Sequence, residues 1–500
     1  MNRGWNILMV GVLACASSAW AQDSTPPASG TTPDSATGQQ QAPAPAPAYG
    51  QQDAGAPINE NPPLSGLDVP SLEPHSAPLS YIQPGATFNE SADSNPVDTP
   101  GGQQFRSITR ALGSLTLHRV WSHYDLALDY IGGIGYYDLP DQGLKNLQQM
   151  DLDQKINWKR GDLSVRDSFS YLPEGNFGGA YGSLGSQGIQ SLGSTAFSSF
   201  WSGGELGALG LAPRVLNISL AEVDQTLTPK SAITVTGGYA FTHFYGNDIE
   251  TGGPFIGSSQ TSGEVGYNRL LTSKTQVALV YGYQGFDFSV VGTAFHSHII
   301  QAMYGHQITG RMDLLIAAGP QLTFISEPCS IINVFEQTPG CTLNSSGDIE
   351  GSIPDHRVGV AGRFRLRYKF PKTTVELSYQ RFETAGSGLF AGAQTDIARV
   401  GADRPLTRVW GIGADIGYSR NSRLQVAAEG VPANTYSYGF AAVALHRQFG
   451  RSFHAFTSYQ FSELEFDNSV CGSASACNRI SNRQVFSVGL DWTPRPIRID

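Results

Sequence analysis

From about residue 80 onward, apolar and polar positions alternate with a period of two, and the alternation resumes after each turn without helical interruption. Tyr124, Leu126, Leu128 and Tyr130 interleave with Asp125, Ala127 and Asp129. Leu163, Val165, Phe169 and Tyr171 interleave with Ser164, Arg166, Ser168 and Ser170. The same rhythm runs through residues 233–241, 277–283, 410–419 and 486–492. Each run predicts a strand with one apolar face, because successive side chains of a strand point to opposite sides.

A soluble sandwich would alternate too, and the connections separate the two cases. Tight links such as Thr228-Pro229-Lys230-Ser231, Thr272-Ser273-Lys274, Thr309-Gly310-Arg311, Pro371-Lys372 and Phe449-Gly450-Arg451 recur at every second junction. The junctions between them are longer, notably 173–213, 326–353 and 464–480. Short periplasmic turns alternating with long external loops are the pattern of membrane barrels. The expected fold is therefore all-β, a transmembrane antiparallel up-and-down barrel of about 18 strands over residues 80–492, with roughly 16 as the fallback count. An even count returns both ends to the periplasmic side. The first strand is the least regular, since Pro84 and Gly85 interrupt it; Trp492 closes the last, and residues 493–500 make a short periplasmic tail.

The segment before the barrel reads differently. Arg3, the apolar residues 5–13 and Ala19-Trp20-Ala21 form a secretory signal peptide over residues 1–21, too short to span a bilayer permanently. A rival reading makes Cys15 a lipidated N-terminus after Val12-Leu13-Ala14. Residues 22–79 are rich in Pro, Ala and Gln, and no Lys or Arg occurs between Arg3 and Arg106. Such a stretch cannot bury enough apolar surface to offset chain entropy, so it is expected to be a disordered periplasmic linker.

Composition fits the barrel. Charged residues make up 15% of the chain, against ~25% in ordinary soluble domains. No window approaches the length of a helical membrane span. The net charge of −10 argues against nucleic acid as a partner. Four cysteines follow Cys15, and each pair lies within one polar segment, so the simplest assignment joins Cys329 to Cys341 and Cys471 to Cys477.

If the apolar set meets lipid, the alternate set lines the lumen and its chemistry becomes legible. Val358, Val360, Phe364, Leu366 and Tyr368 form one face of a strand; Arg357, Arg363, Arg365, Arg367 and Lys369 form the other. Each cation would cost roughly 2–4 kcal/mol at the bilayer midplane, so the basic face is expected to line the pore. Acids appear eight or nine strands earlier, with Asp125 and Asp129 on one strand and Asp151 and Asp153 on the next. Opposed in this way they would set a transverse field across the lumen, as in general porins. The glycine-rich stretch 174–210 is expected either to fold inward as a constriction or to cap the barrel. His296 and His298 share one strand face without an evident third ligand, so no metal is expected. No G-x-S-x-G, P-loop or H-E-x-x-H motif occurs, and neither catalytic residues nor a cofactor are expected.

Several runs resemble one known family. They are residues 89–95 (NESADSN), Ser114-Leu115-Thr116-Leu117-His118-Arg119, residues 124–130 (YDLALDY), Gly310-Arg311-Met312-Asp313-Leu314 and Asp415-Ile416-Gly417-Tyr418-Ser419. Together they look like the porin-2 type family of bacterial outer-membrane β-barrel proteins, over about residues 80–492. The resemblance implies an outer-membrane barrel without a plug domain and supplies no catalytic residues; some members are associated with exopolysaccharide export. The sequence reading is thus a channel passing small polar solutes by diffusion, set among outer-membrane lipid and lipopolysaccharide. A polysaccharide-export component is the first alternative and a surface adhesin the second. A homo-oligomer, as a trimer, is expected only by analogy with general porins.

Overall fold

A computed structural model describes residues 80–96, 104–139, 143–172, 213–245, 255–288, 291–329, 335, 340–345, 347, 349–386, 388–424, 435–467 and 480–499. The signal peptide with Cys15, the linker, residues 173–212, and Cys471 with Cys477 lie outside the described residues.

The first half of the wall comprises β1 (Tyr81–Asp93), β2 (Arg106–Val120), β3 (Tyr124–Tyr137), β4 (Gly143–Trp158), β5 (Gly161–Leu172), β6 (Arg214–Thr228), β7 (Ser231–Phe244), β8 (Ser258–Thr272) and β9 (Thr275–Phe288). The second half comprises β10 (Thr293–Thr309), β11 (Met312–Pro328), β14 (Ser352–Lys369), β15 (Thr374–Thr384), β16 (Ala393–Pro405), β17 (Trp410–Arg423), β18 (Thr435–Phe449), β19 (Phe453–Phe466) and β20 (Ile480–Trp492). Each pairs antiparallel with its sequence neighbour, and β20 returns to β1 through Ala86↔Trp492 to Asp93↔Val485. The result is a closed barrel of 18 strands. Three short strands lie outside the ring count. β12 (Thr342–Leu343) and β13 (Ile349–Glu350) form a hairpin in the β11–β14 junction, directly after the loop that the Cys329–Cys341 disulfide closes, and β21 (Ile497–Arg498) adds to the start of β1.

Local chemistry explains the short-turn rim. Thr228, Thr272 and Thr309 each accept, through the side-chain hydroxyl, the backbone N–H two residues on. This is the hydroxyl-stabilised turn that competes with continued extension. The ladder slips at the same three places, which tightens the hairpins. Pro84 is accommodated because its missing N–H falls where β1 changes partner, between the end of β20 at Trp492 and the start of β21 at Ile497.

Alternation sorts the side chains as the chain pattern required. Leu279, Ile416, Val265 and Leu490 are exposed on the outer surface. Gln276, Ser168, Ser458 and Ser487 are buried on the inner one. Trp121, Tyr124, Trp158, Phe449 and Trp492 ring the outside near the short turns, and Tyr130, Tyr239, Tyr281, Tyr418 and Tyr459 ring it higher up. On β17, Trp410 and Tyr418 are eight residues apart, about 26 Å of strand. At a tilt of ~40° that becomes about 20 Å of apolar band. A closed wall leaves no backbone edge for hydrocarbon to meet, which is what a bilayer demands.

Candidate functional site

The lumen carries the chemistry. On β14 the outward side chains are Val358, Val360, Phe364, Leu366 and Tyr368, so Arg357, Arg363, Arg365, Arg367 and Lys369 all occupy the inner side. Their neighbours are set by register. Arg367 donates from Nε and Nη2 to Asp313 of β11 at 3.0 and 2.8 Å, and Glu376 of β15 stands beside it on the other flank. Arg365 lies between Leu315 and Ser378, and Arg363 between Ala317 and Gln380. Arg357 is 3.7 Å from Asp355 on its own strand.

The acidic set lies on β3 and β4. Asp125 pairs with His118 Nε2 at 2.7 Å, and Asp129 accepts the Thr116 hydroxyl at 2.6 Å. Asp151 is the register partner of Asp129, and Asp153 lies 3.5 Å from Arg166. β14 is the twelfth strand of the ring, β3 the third and β4 the fourth. Nine and eight of eighteen steps therefore separate the basic face from the two acidic ones, about half the circumference.

Further lumen charges surround these. Glu222 and Asp224 line β6, the Thr234 hydroxyl donates to Asp224, and Lys155 reaches Asp162 at 3.1 Å. On the opposite wall Arg399 of β16 pairs with Asp415 of β17. The β6 acids escape a hydrophobicity reading because that strand is inverted above them. Leu216, Ile218 and Leu220 face inward, while Asn217 and Ser219 face outward and donate to Asp167. The histidine pair is not in the lumen: His296 stacks on Phe324 and His298 meets the Tyr281 hydroxyl at 2.9 Å, both on the outer wall. No group of three or more metal-ligating side chains occurs among the described residues.

No protein-family model matches the chain, and no curated protein does. Among solved structures it aligns with Pseudomonas aeruginosa OccK5 (OpdH) at 11% identity and a TM-score of 0.40, covering 84% of this chain and 98% of that one. Pseudomonas aeruginosa OccK2 (OpdF), solved with glucuronate, aligns at 11% identity and a TM-score of 0.40 over 83% of this chain and 98% of that one. The ferric-catecholate import receptor Fiu of E. coli K12 aligns at 8% identity and a TM-score of 0.40, covering 83% and 82%.

The long-loop end of the lumen is built differently from the rest. On β7, β9 to β11, β18 and β19 the inward side chains there are apolar and packed: Phe244, Phe286, Phe288, Phe295, Ile325, Tyr436, Tyr438 and Leu464 are all buried. A short connection, residues 385–392 between β15 and β16, runs among them. Phe390 sits with Tyr436, Tyr438 and Leu464, and the Arg423 guanidinium lies 4.9 Å above its ring. Ala391 packs with Phe286, Phe288, Phe295 and Ile325. The Gly388 carbonyl accepts the Ile256 N–H at 2.8 Å, close to Phe244. The loop therefore touches the walls of β7 and of β18, the seventh and sixteenth strands, which face each other across the ring. Its path needs glycine: Gly392 has φ +92°, and a Cβ there would lie 2.5 Å from the Phe295 ring. Residues 174–210, expected either to fold inward or to cap the barrel, lie outside the described residues; among the described residues the inward segment is 385–392.

The entry of that loop into the lumen is visible in the ladder. β11 and β14 pair from Met312↔Tyr368 to Pro328↔Ser352, but β14 and β15 pair only from Lys369↔Thr374 up to Gly362↔Arg381. Above that point β14 continues upward on the outside, with Val358 77% exposed. β15 turns inward. Glu383 lies on the outer side of β15, yet its carboxylate accepts hydrogen bonds from Ser297 of β10 and Thr323 of β11, both lumen-facing hydroxyls. The top of β15 has therefore passed inside its neighbours, and the wall is lapped there instead of edge-paired.

Proposed function

We propose that the protein is an outer-membrane channel for the passive diffusion of small polar solutes, with its short turns in the periplasm and its long loops outside. The observation that carries this reading is the closed 18-stranded wall with an apolar outside and a charged inside. Barrels of ~8 strands fill with their own side chains, whereas those of about 16–18 leave room for water. Charge in such a lumen serves transport: cations of β14 opposite acids of β3 and β4 would impose a field across the passage, orienting dipolar solutes and favouring anions along the β14 side. Part of that basic face is compensated locally, since Arg367 pairs with Asp313.

The test is electrical. Purified protein in planar bilayers should conduct, and the reversal potential in a salt gradient should report its selectivity. Replacing Arg363, Arg365 and Arg367 together by Glu should move selectivity toward cations. Unchanged selectivity would remove the transverse field from the proposal, and absence of any conductance by heat-modifiable, folded protein would remove the channel itself.

A further inference from the structure

We infer that residues 385–392 are the size-limiting stopper of this channel, seated from below by Glu383; the inference rests on the channel reading above. Four observations point the same way. The loop bridges facing walls, from the β7 side at Gly388 to the β18 side at Phe390. An element in that position narrows the mouth, whereas one lying along a single wall would not. Its anchors reach several strands at the mouth: the Ser297 and Thr323 hydroxyls on Glu383, backbone hydrogen bonds from Ile256 to Gly388 and from Leu424 to Gly392, and the Phe390 and Ala391 contacts.

The lapped seam supplies the third observation. Because β14 and β15 share no ladder above Gly362↔Arg381, displacing the loop breaks no barrel hydrogen bond between those two strands. The fourth is chemical. No charged residue occurs in 385–392, so the loop selects by size and leaves charge selection to the β14 face. The two functions then sit at different heights in one lumen.

The loop can be removed cleanly. The Gly392 N–H already meets the Ala385 carbonyl at 3.3 Å, and Thr384 pairs with Ala393. The ends are therefore close enough for an Asn-Gly turn, the two-residue link that antiparallel strands accept. A variant with Asn-Gly in place of residues 386–391 should conduct at least about twofold better per channel than the wild type, and in liposome-swelling assays should admit larger sugars. As a milder variant, Phe390→Ala removes the ring between Tyr436 and Arg423 and should shift both readouts in the same direction. Wild-type conductance and wild-type sugar exclusion in either folded variant would overturn the stopper while leaving the channel reading intact. Folded protein that conducts neither with nor without the loop would overturn both.

Discussion

Closure of the barrel rests on one seam, and the seam has a buried clamp whose energetics can be measured. β1 and β20 pair only between Ala86↔Trp492 and Asp93↔Val485, a shorter ladder than β11 shares with β14. At its long-loop end Arg483 donates to Asp93 from Nε at 2.9 and 3.1 Å and from Nη2 at 2.5 Å, and the Asn95 N–H adds a bond at 3.0 Å. The side chains of Asp93 and Arg483 are 0% and 2% exposed. Arg483→Met would leave a carboxylate in that place with the Asn95 amide as its remaining described donor. Removing one partner of a buried pair costs about 3–5 kcal/mol, because the other charge stays desolvated. The double variant Asp93→Leu, Arg483→Met removes both charges and should recover most of that loss, since apolar replacements of buried pairs are often neutral. Urea unfolding of the vesicle-embedded barrel, followed by tryptophan fluorescence and by the gel shift between boiled and unboiled samples, reads the difference directly. A single variant that loses less than about 1 kcal/mol, or a double variant no better than the single, would refute the claim that this pair is desolvated and clamps the seam.

Two further outcomes follow from the wall and its loops. Val443 and Ala442 are neighbours on β18, one facing outward and the other facing the lumen opposite Asp415. Val443→Arg should lower stability by roughly 2–4 kcal/mol, Ala442→Arg by much less, and equal losses in the same urea assay would contradict the assigned faces. The Cys329–Cys341 disulfide, with a sequence separation of 12, closes a loop beside the β12–β13 hairpin and contributes about 3 kcal/mol of loop-closure entropy. Reduction should therefore expose residues 330–350 to protease, visible as a new fragment by mass spectrometry, while the barrel band keeps its heat-modifiable mobility.

Much of this molecule could be read from its order of residues. Period-two alternation, and tight turns at every second junction, three of them held by a threonine hydroxyl, are local properties. They depend on side-chain direction and backbone hydrogen bonding within a few residues, so Val277 to Tyr283 or Trp410 to Tyr418 declare their faces without knowledge of the rest. The alternating runs at 124–130, 163–171, 233–241, 277–283, 410–419 and 486–492 all fall within observed barrel strands, and the basic side of β14 is visible as a simple every-other-residue run. Where alternation inverts, as at Leu216, Ile218 and Leu220 of β6, the local signal points the wrong way and the acids below it go unread.

What the order of residues could not settle is which groups meet across the ring. Asp93 and Arg483 are 390 positions apart and touch only because the barrel closes. Asp313 compensates Arg367 because the register between β11 and β14 sets them side by side. Residues 385–392 read as one more glycine-rich connection, and Glu383 as one more outward acid. Only the lapping of β15 behind β14 carries that carboxylate to Ser297 and Thr323 and the loop across the mouth. Alternation tells a side chain which of two faces it occupies; curvature and closure decide what it faces, and those depend on every strand at once.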